Sequence, residues 1–205
     1  MTASESGDAD ATSGSGDADA SVEHAVLLDV LRHGRQDDGR RRFDADPIAY
    51  ALGETNFRLL ELTLTEDADV SIGDRVVVSP VADREVVKSV EQLSYSDLSN
   101  TADSELEYVV QDIVDADETR FVNFYNEAQP ITLRLHQLNL LPGIGKKLRD
   151  KILEERKRYG PFESFEDLHE RVSGLHHPKE VIVERILEEL HGDDVKYKTF
   201  VRNDQ

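Results

Sequence analysis

Hydrophobic and polar positions change rhythm along this chain. From about residue 22 they follow strand patterns. His24–Leu31 is a nearly unbroken apolar run, and Ile48–Leu52 and Phe57–Leu64 flank the turn Gly53-Glu-Thr-Asn56. Gly73–Ser79 opens on a Gly-Asp turn, and Glu85–Tyr95 alternates around Val87, Val90 and Leu93. Short strands at this spacing, punctuated by turn residues, predict a small closed β-barrel. The phrase Gly73-Asp-Arg-Val-Val-Val is common in oligonucleotide-binding (OB) barrels and in SH3-like ones.

After residue 98 the period becomes helical. Ser104–Val114 places Leu106, Val109, Val110, Ile113 and Val114 on one stripe. Arg120–Tyr125 continues as a short helix towards Pro130, with Phe121, Phe124 and Tyr125 at core spacing. Helices are then expected over Thr132–Asn139 and Lys146–Tyr159, the second ending at Gly160-Pro161. Ser164 and Asp167 resemble a capping box opening a helix to about Val172. Pro178 opens a last helix to His191, and Lys196–Arg202 reads as a strand returning to the barrel. The fold class predicted is α+β: a small OB-like β-barrel followed by an all-helical domain. The boundaries expected are an acidic disordered tail at 1–21, the barrel at 22–98, linking helices at 99–130, a helical hairpin domain at 131–191 and a C-terminal strand and tail at 192–205. The tail is Ser, Gly, Ala, Thr, Asp and Glu apart from Met1, and it buries too little apolar surface to offset ordering entropy.

Between the two expected hairpin helices lies Leu141-Pro142-Gly143-Ile144-Gly145-Lys146-Lys147. Paired glycines before a helix make a tight elbow whose backbone N–H groups lie at the positive end of the helix dipole, where anions are favoured. A Cβ there would obstruct both the turn and a close phosphate. Ile144 is suited to plug the cleft between the helices. This is the physical recipe of a helix-hairpin-helix, which holds a nucleic-acid backbone without reading bases. Residues 131–160 carry eight Lys and Arg against three Asp and Glu, a local charge of +5 in a chain of formal charge -19. The plainer alternative is a turn between helices with ion pairs Lys151/Glu155 and Glu154/Arg158 at i,i+4 spacing.

Overall acidity changes how that patch is read. Forty-three Asp and Glu face 24 Lys and Arg, a balance that ordinarily repels polyanions. The acids are spread over all segments and Arg outnumbers Lys, the signature of adaptation to concentrated salt. In molar salt the screening length is about 3 Å, so the global field matters little. Directed N–H···phosphate bonds then outweigh counterion release. The chain has no Cys, which excludes disulfides, thiolate catalysis and cysteine–zinc sites. No apolar run approaches a membrane span and no export signal opens the chain, so a cytoplasmic location with no membrane partner is expected.

The loop Arg32-His-Gly-Arg35-Gln-Asp-Asp-Gly-Arg40-Arg41-Arg42-Phe43 joins the first two strands. Its five arginines and one aromatic suit phosphate contact and stacking; the alternative is an exposed loop whose charges offset Asp37, Asp38 and Asp44. His169, His176, His177 and His191 are not expected to bind metal, with His176 and His177 adjacent and pointing apart. Glu66, Asp67 and Asp69 read as solvated carboxylates. Neither a nucleophile–base pair nor a base-flipping pocket is legible, so no catalytic residue, cofactor or metal is expected.

The order Leu-Pro-Gly-Ile-Gly, Glu155-Arg-Lys-Arg-Tyr-Gly-Pro-Phe162, Ser164-Phe-Glu-Asp-Leu168 and Val172-Ser-Gly-Leu175 resembles the paired helix-hairpin-helix domain of competence-type DNA receptors. Phe121-Val-Asn-Phe-Tyr-Asn-Glu-Ala128, Arg134-Leu-His136 and Tyr197-Lys-Thr-Phe-Val-Arg202 resemble more closely an uncharacterised archaeal family, domain of unknown function 655. That resemblance implies an OB-like barrel with a paired hairpin module and a nucleotide-binding tendency. Its gene neighbourhoods imply RNA over DNA as partner. Arg149 and Leu148 depart from the competence-type pattern. So does the second hairpin, Gly174-Leu-His-His-Pro-Lys179, where a histidine replaces the second glycine and Pro178 removes an amide.

The reading is a non-enzymatic protein that grips a phosphate backbone without sequence specificity. Gly143, Ile144, Gly145, Lys146, Lys147 and Arg149 would act from the elbow, and Arg32, Arg35, Arg40, Arg41 and Arg42 from the barrel. The rival is an adaptor that docks ribosomal or transcription proteins.

Overall fold

The structure, a computed structural model, describes residues 22–34, 46–192 and 195–202. Its first half is one antiparallel sheet of β1 (Glu23–Leu31), β2 (Ile48–Gly53), β3 (Leu59–Leu64), β4 (Arg75–Ser79) and β5 (Val87–Gln92), in the order β4-β1-β2-β3-β5. Four antiparallel ladders fix the directions: β2, β4 and β5 run one way, β1 and β3 the other. The edge strands β4 and β5 therefore run parallel. They approach each other without forming a ladder, so the expected closed barrel is instead a curled half-barrel.

Side-chain size explains the curl. The concave face carries Ala25, Leu27, Ala49, Ala51, Leu60, Leu62, Val76 and Val78; three alanines at its centre let the strands bend inward over the larger aliphatics. The convex face is apolar too. Leu28, Tyr50, Leu52, Phe57 and Leu59 join a second core formed with the helices, which is why every residue of β2 is buried.

Helix α1 (Asn100–Ala116) lays Ala102, Leu106, Val109, Val110, Ile113 and Val114 on that face. It starts earlier than its apolar stripe suggests, because Ser99 caps it by accepting from the Ala102 amide at 3.1 Å. The same hydroxyl donates at 2.6 Å to Asp29, beside the register shift between Leu27 and Asp29. One cap thus joins sheet and helix. Helix α2 (Glu118–Glu127) buries Phe121, Val122 and Tyr125, while Arg120 donates to the carbonyls of Glu54 at 2.9 Å and Thr55 at 2.5 Å. Helices α3 (Lys146–Tyr159), α4 (Phe165–Arg171) and α5 (Pro178–His191) follow. Gly160 stops α3 at φ 87°, and Ser164 caps α4.

Two expected elements are absent. Thr132–Asn139 is not an α-helix: a loop leads into one 3-10 turn, Gln137–Leu140. Lys196–Arg202 is not a strand. Its amides at Thr199, Phe200 and Val201 donate to the buried Glu189 carboxylate at 2.8–3.0 Å, so no ladder can use them. The segment still reaches the sheet, since the Arg202 amide donates to the Asn56 carbonyl at 3.0 Å. Among the described residues no helix is long and apolar enough to cross a membrane. The expected disordered tail, residues 1–21, lies outside the described residues.

Candidate functional site

The loop before the elbow is built by a threonine. Thr132 Oγ1 accepts from the amides of Arg134 at 3.2 Å and Leu135 at 3.0 Å. The Leu135 carbonyl accepts from Ile131 at 2.8 Å and Thr132 at 3.0 Å. Pro130 and His136 form an antiparallel bridge at its base. His136 then caps the 3-10 turn, its Nδ1 accepting from the Leu138 amide at 3.1 Å. That ring is buried. Burial, then the neighbouring Arg149 and Arg156, hold its pKa below the ordinary value, with Asp150 opposing.

The elbow follows. Gly143 has φ 72°, a region that disfavours other residues, and its carbonyl accepts from the Gly145 amide at 3.2 Å. Ile144 donates its amide to Leu141 at 3.2 Å and buries its side chain in the core, as a plug should. These bonds correct one expectation: the Ile144 and Gly145 amides are already engaged. Among the described residues none accepts from the amides of Gly143, Lys146, Lys147 or Leu148. The bare donors are therefore displaced towards the first turn of α3.

Gly145 is the residue whose identity the fold does not explain. It is the N-cap of α3, with φ -78° and ψ 179°, backbone that any residue adopts, and no side chain caps the helix. A Cβ built there meets nothing within 4 Å. Neither conformation nor packing requires glycine, and Ser or Asp would cap the helix better.

Cations divide into two sets. Arg149 donates to Asn139 at 3.1 Å and to Asp150 at 2.9 Å and 2.6 Å; with Asn139 Nδ2 donating to the Ile144 carbonyl at 3.0 Å, it braces the elbow. Lys151 donates to the Ser173 carbonyl at 2.6 Å. Arg156 holds the carbonyls of Tyr125, Asn126 and Ala128 at the end of α2. By contrast Lys146 and Lys147 are exposed, with no ion pair among the described residues. Arg134, Leu133, Leu135, Asn139, Lys146 and Arg149 line an open depression of about 490 Å³ beside the elbow. Sequence reasoning missed this loop's part; Pro130 and Thr132, both turn formers, were the available signal.

Arg32, the first of the barrel-loop arginines, donates to the Val70 carbonyl at 3.2 Å. Arg35, Arg40, Arg41 and Arg42 lie outside the described residues. The structure does not unite Arg32 with the elbow cluster in one cavity among those described. At the second turn Gly174 has φ 99° and Leu175 is buried, echoing Gly143-Ile144. His177 begins α5 at φ 51° and Pro178 offers no amide. His176 and His177 do not point apart: both rings lie near His169, at 5.9 Å and 6.4 Å. No group of three His, Asp or Glu among the described residues is placed to hold a metal ion.

A family described as protein of unknown function, DUF655, matches residues 21–202. The chain is 40% identical over 180 residues to an uncharacterised protein of Methanocaldococcus jannaschii, spanning 87% of this chain and 79% of the relative. It is also similar to the crystal structure of a DUF655 protein from Archaeoglobus fulgidus, at 41% identity and a TM-score of 0.79, covering 88% of this chain and 99% of that one.

Proposed function

The chain belongs to the DUF655 family, whose description assigns no activity, and from the elbow's geometry we propose that it is a non-enzymatic protein that grips a nucleic-acid phosphate backbone without reading sequence, RNA in preference to DNA. The hairpin is read as a helix-hairpin-helix whose first helix is reduced to one 3-10 turn, and the half-barrel as an OB-like platform. One phosphate oxygen accepts from the bare amides of Lys146, Lys147 and Leu148, with Gly143 beside them. Lys146 and Lys147 add charge; Arg149 positions the turn. The observation that carries this reading is Gly145, a glycine in unstrained extended backbone with open space where its Cβ would stand. Such a residue fits a site where an outside group comes close to the main chain.

Amide contacts carry no sequence information, so affinity is modest and similar across sequences. The test is fluorescence anisotropy with labelled RNA and DNA oligomers over a salt series, on wild type and Lys146→Glu/Lys147→Glu. Binding lost in the double variant, with the fold intact by circular dichroism, supports the proposal. Equal binding by both proteins, or none by wild type, makes the elbow structural and leaves the adaptor reading in its place.

A further inference from the structure

We infer that Leu133 is a wedge that enters an interruption in the base stack of an RNA held at the elbow, so that the protein favours duplex broken by an unpaired nucleotide over continuous duplex. The inference rests on the phosphate-gripping reading of the elbow and names its ligand.

Leu133 is wholly solvent-exposed, at 107% of its reference area, yet its loop is fixed on both sides. Thr132 ties down Arg134 and Leu135, the Leu135 carbonyl holds Ile131 and Thr132, and the Pro130–His136 bridge closes the base. A leucine presented on so constrained a loop cannot fold back into the core. Its surroundings are cationic: Arg134, Lys146 and Arg149 share its depression. Lys146 belongs both to that depression and to the bare first turn of α3. A nucleotide whose phosphate rests on the turn can lay its base in the depression that Leu133 and Lys146 line together. Apolar side chains set among cations part base steps when they enter nucleic acid. In RNA the accessible faces are those of bulges, loops and ends, where stacking is already broken. In continuous duplex the cost of unstacking keeps Leu133 out, so only the backbone grip acts there, and the wedge adds affinity only where the stack is already broken.

The experiment uses the full chain and three labelled RNAs of equal length: a continuous duplex, the same duplex with one bulged nucleotide, and a single strand. Wild type is expected to bind the bulged duplex about tenfold more tightly than the continuous one, a modest share of the cost of parting one stacked step. Leu133→Ser should reduce that advantage to below about twofold and leave continuous-duplex affinity unchanged; since Leu133 is fully exposed, its melting curve should match wild type. Lys146→Glu should weaken all three. Equal wild-type affinity for bulged and continuous duplex, or an undiminished advantage in Leu133→Ser, overturns the wedge while the elbow stands. Failure of wild type to bind any of the three overturns both.

Discussion

Asn139 and Ile144 are joined by a 3.0 Å hydrogen bond, side-chain amide to main-chain carbonyl, across the inside of the elbow. The bond fixes the 3-10 turn against the residue that plugs the core, and Arg149 holds the other end of the same amide group. Asn139→Ala should cost about 1 kcal/mol of stability, the usual net worth of one such bond. It should weaken RNA binding more than it lowers stability, because Gly145 and the first turn of α3 lose their anchor. Urea denaturation and anisotropy on the same preparation check both.

Glu189 should be the most sensitive single position outside the elbow. It is wholly buried and accepts from Arg185 at 2.8 Å and from the amides of Thr199, Phe200 and Val201. Glu189→Ala leaves three amides without their acceptor and takes one carboxylate from Arg185, which keeps the Tyr197 carbonyl at 2.7 Å and Glu188 at 3.3 Å; the loss should cost about 3–5 kcal/mol. Hydrogen exchange at 199–201 should speed up more than in β2. Unchanged exchange there would contradict the clamp.

His136 gives a pH dependence of known sign. Burial, then Arg149 and Arg156, lower its pKa in the folded protein. Below about pH 6.5 the unfolded chain takes up a proton that the folded chain refuses, so stability falls as pH falls. His136→Asn keeps an acceptor for the Leu138 amide and removes the titration. The advantage of wild type over the variant should shrink between pH 7.5 and pH 5; an advantage that stays constant or grows contradicts the assignment.

Local signals made much of this chain legible. Lys146–Tyr159 was readable because Gly160 and Pro161 end it, and α4 because Ser164 caps it. Ile144 as a plug followed from an apolar residue between two turn glycines. The misreadings share one cause: the deciding partner lies elsewhere. Thr132–Asn139 has helical apolar spacing, yet the Thr132 hydroxyl takes two amides and makes a loop. Lys196–Arg202 alternates like a strand, but the acceptor of its amides is Glu189, ten and more residues away. Sheet closure turns on whether the edge strands β4 and β5 come within hydrogen-bonding reach along their length, which no local pattern encodes. At the site, the glycines and lysines were legible. Which amides were bare was not, because the Ile144 and Gly145 donors are consumed by carbonyls of the turn itself.

The two elbow glycines should behave differently on substitution. Gly143 sits at φ 72°, so Gly143→Ala should destabilise the fold by about 1–2 kcal/mol through backbone strain alone. Gly145 carries no such strain. A thermal melt of Gly143→Ala beside Gly145→Ala separates them: a drop confined to the first variant is expected, and equal drops would mean the two play the same structural part.

Gly145→Ser sets stability and binding against each other. The new hydroxyl fits the open space and can accept from the Lys147 or Leu148 amide as an N-cap, so the melting temperature should hold or rise. The same hydroxyl occupies the donors assigned to the phosphate, without changing charge. RNA anisotropy on this variant is the decisive measurement: affinity about tenfold or more below wild type is predicted, whereas wild-type affinity in a protein at least as stable would contradict a backbone grip at the start of α3.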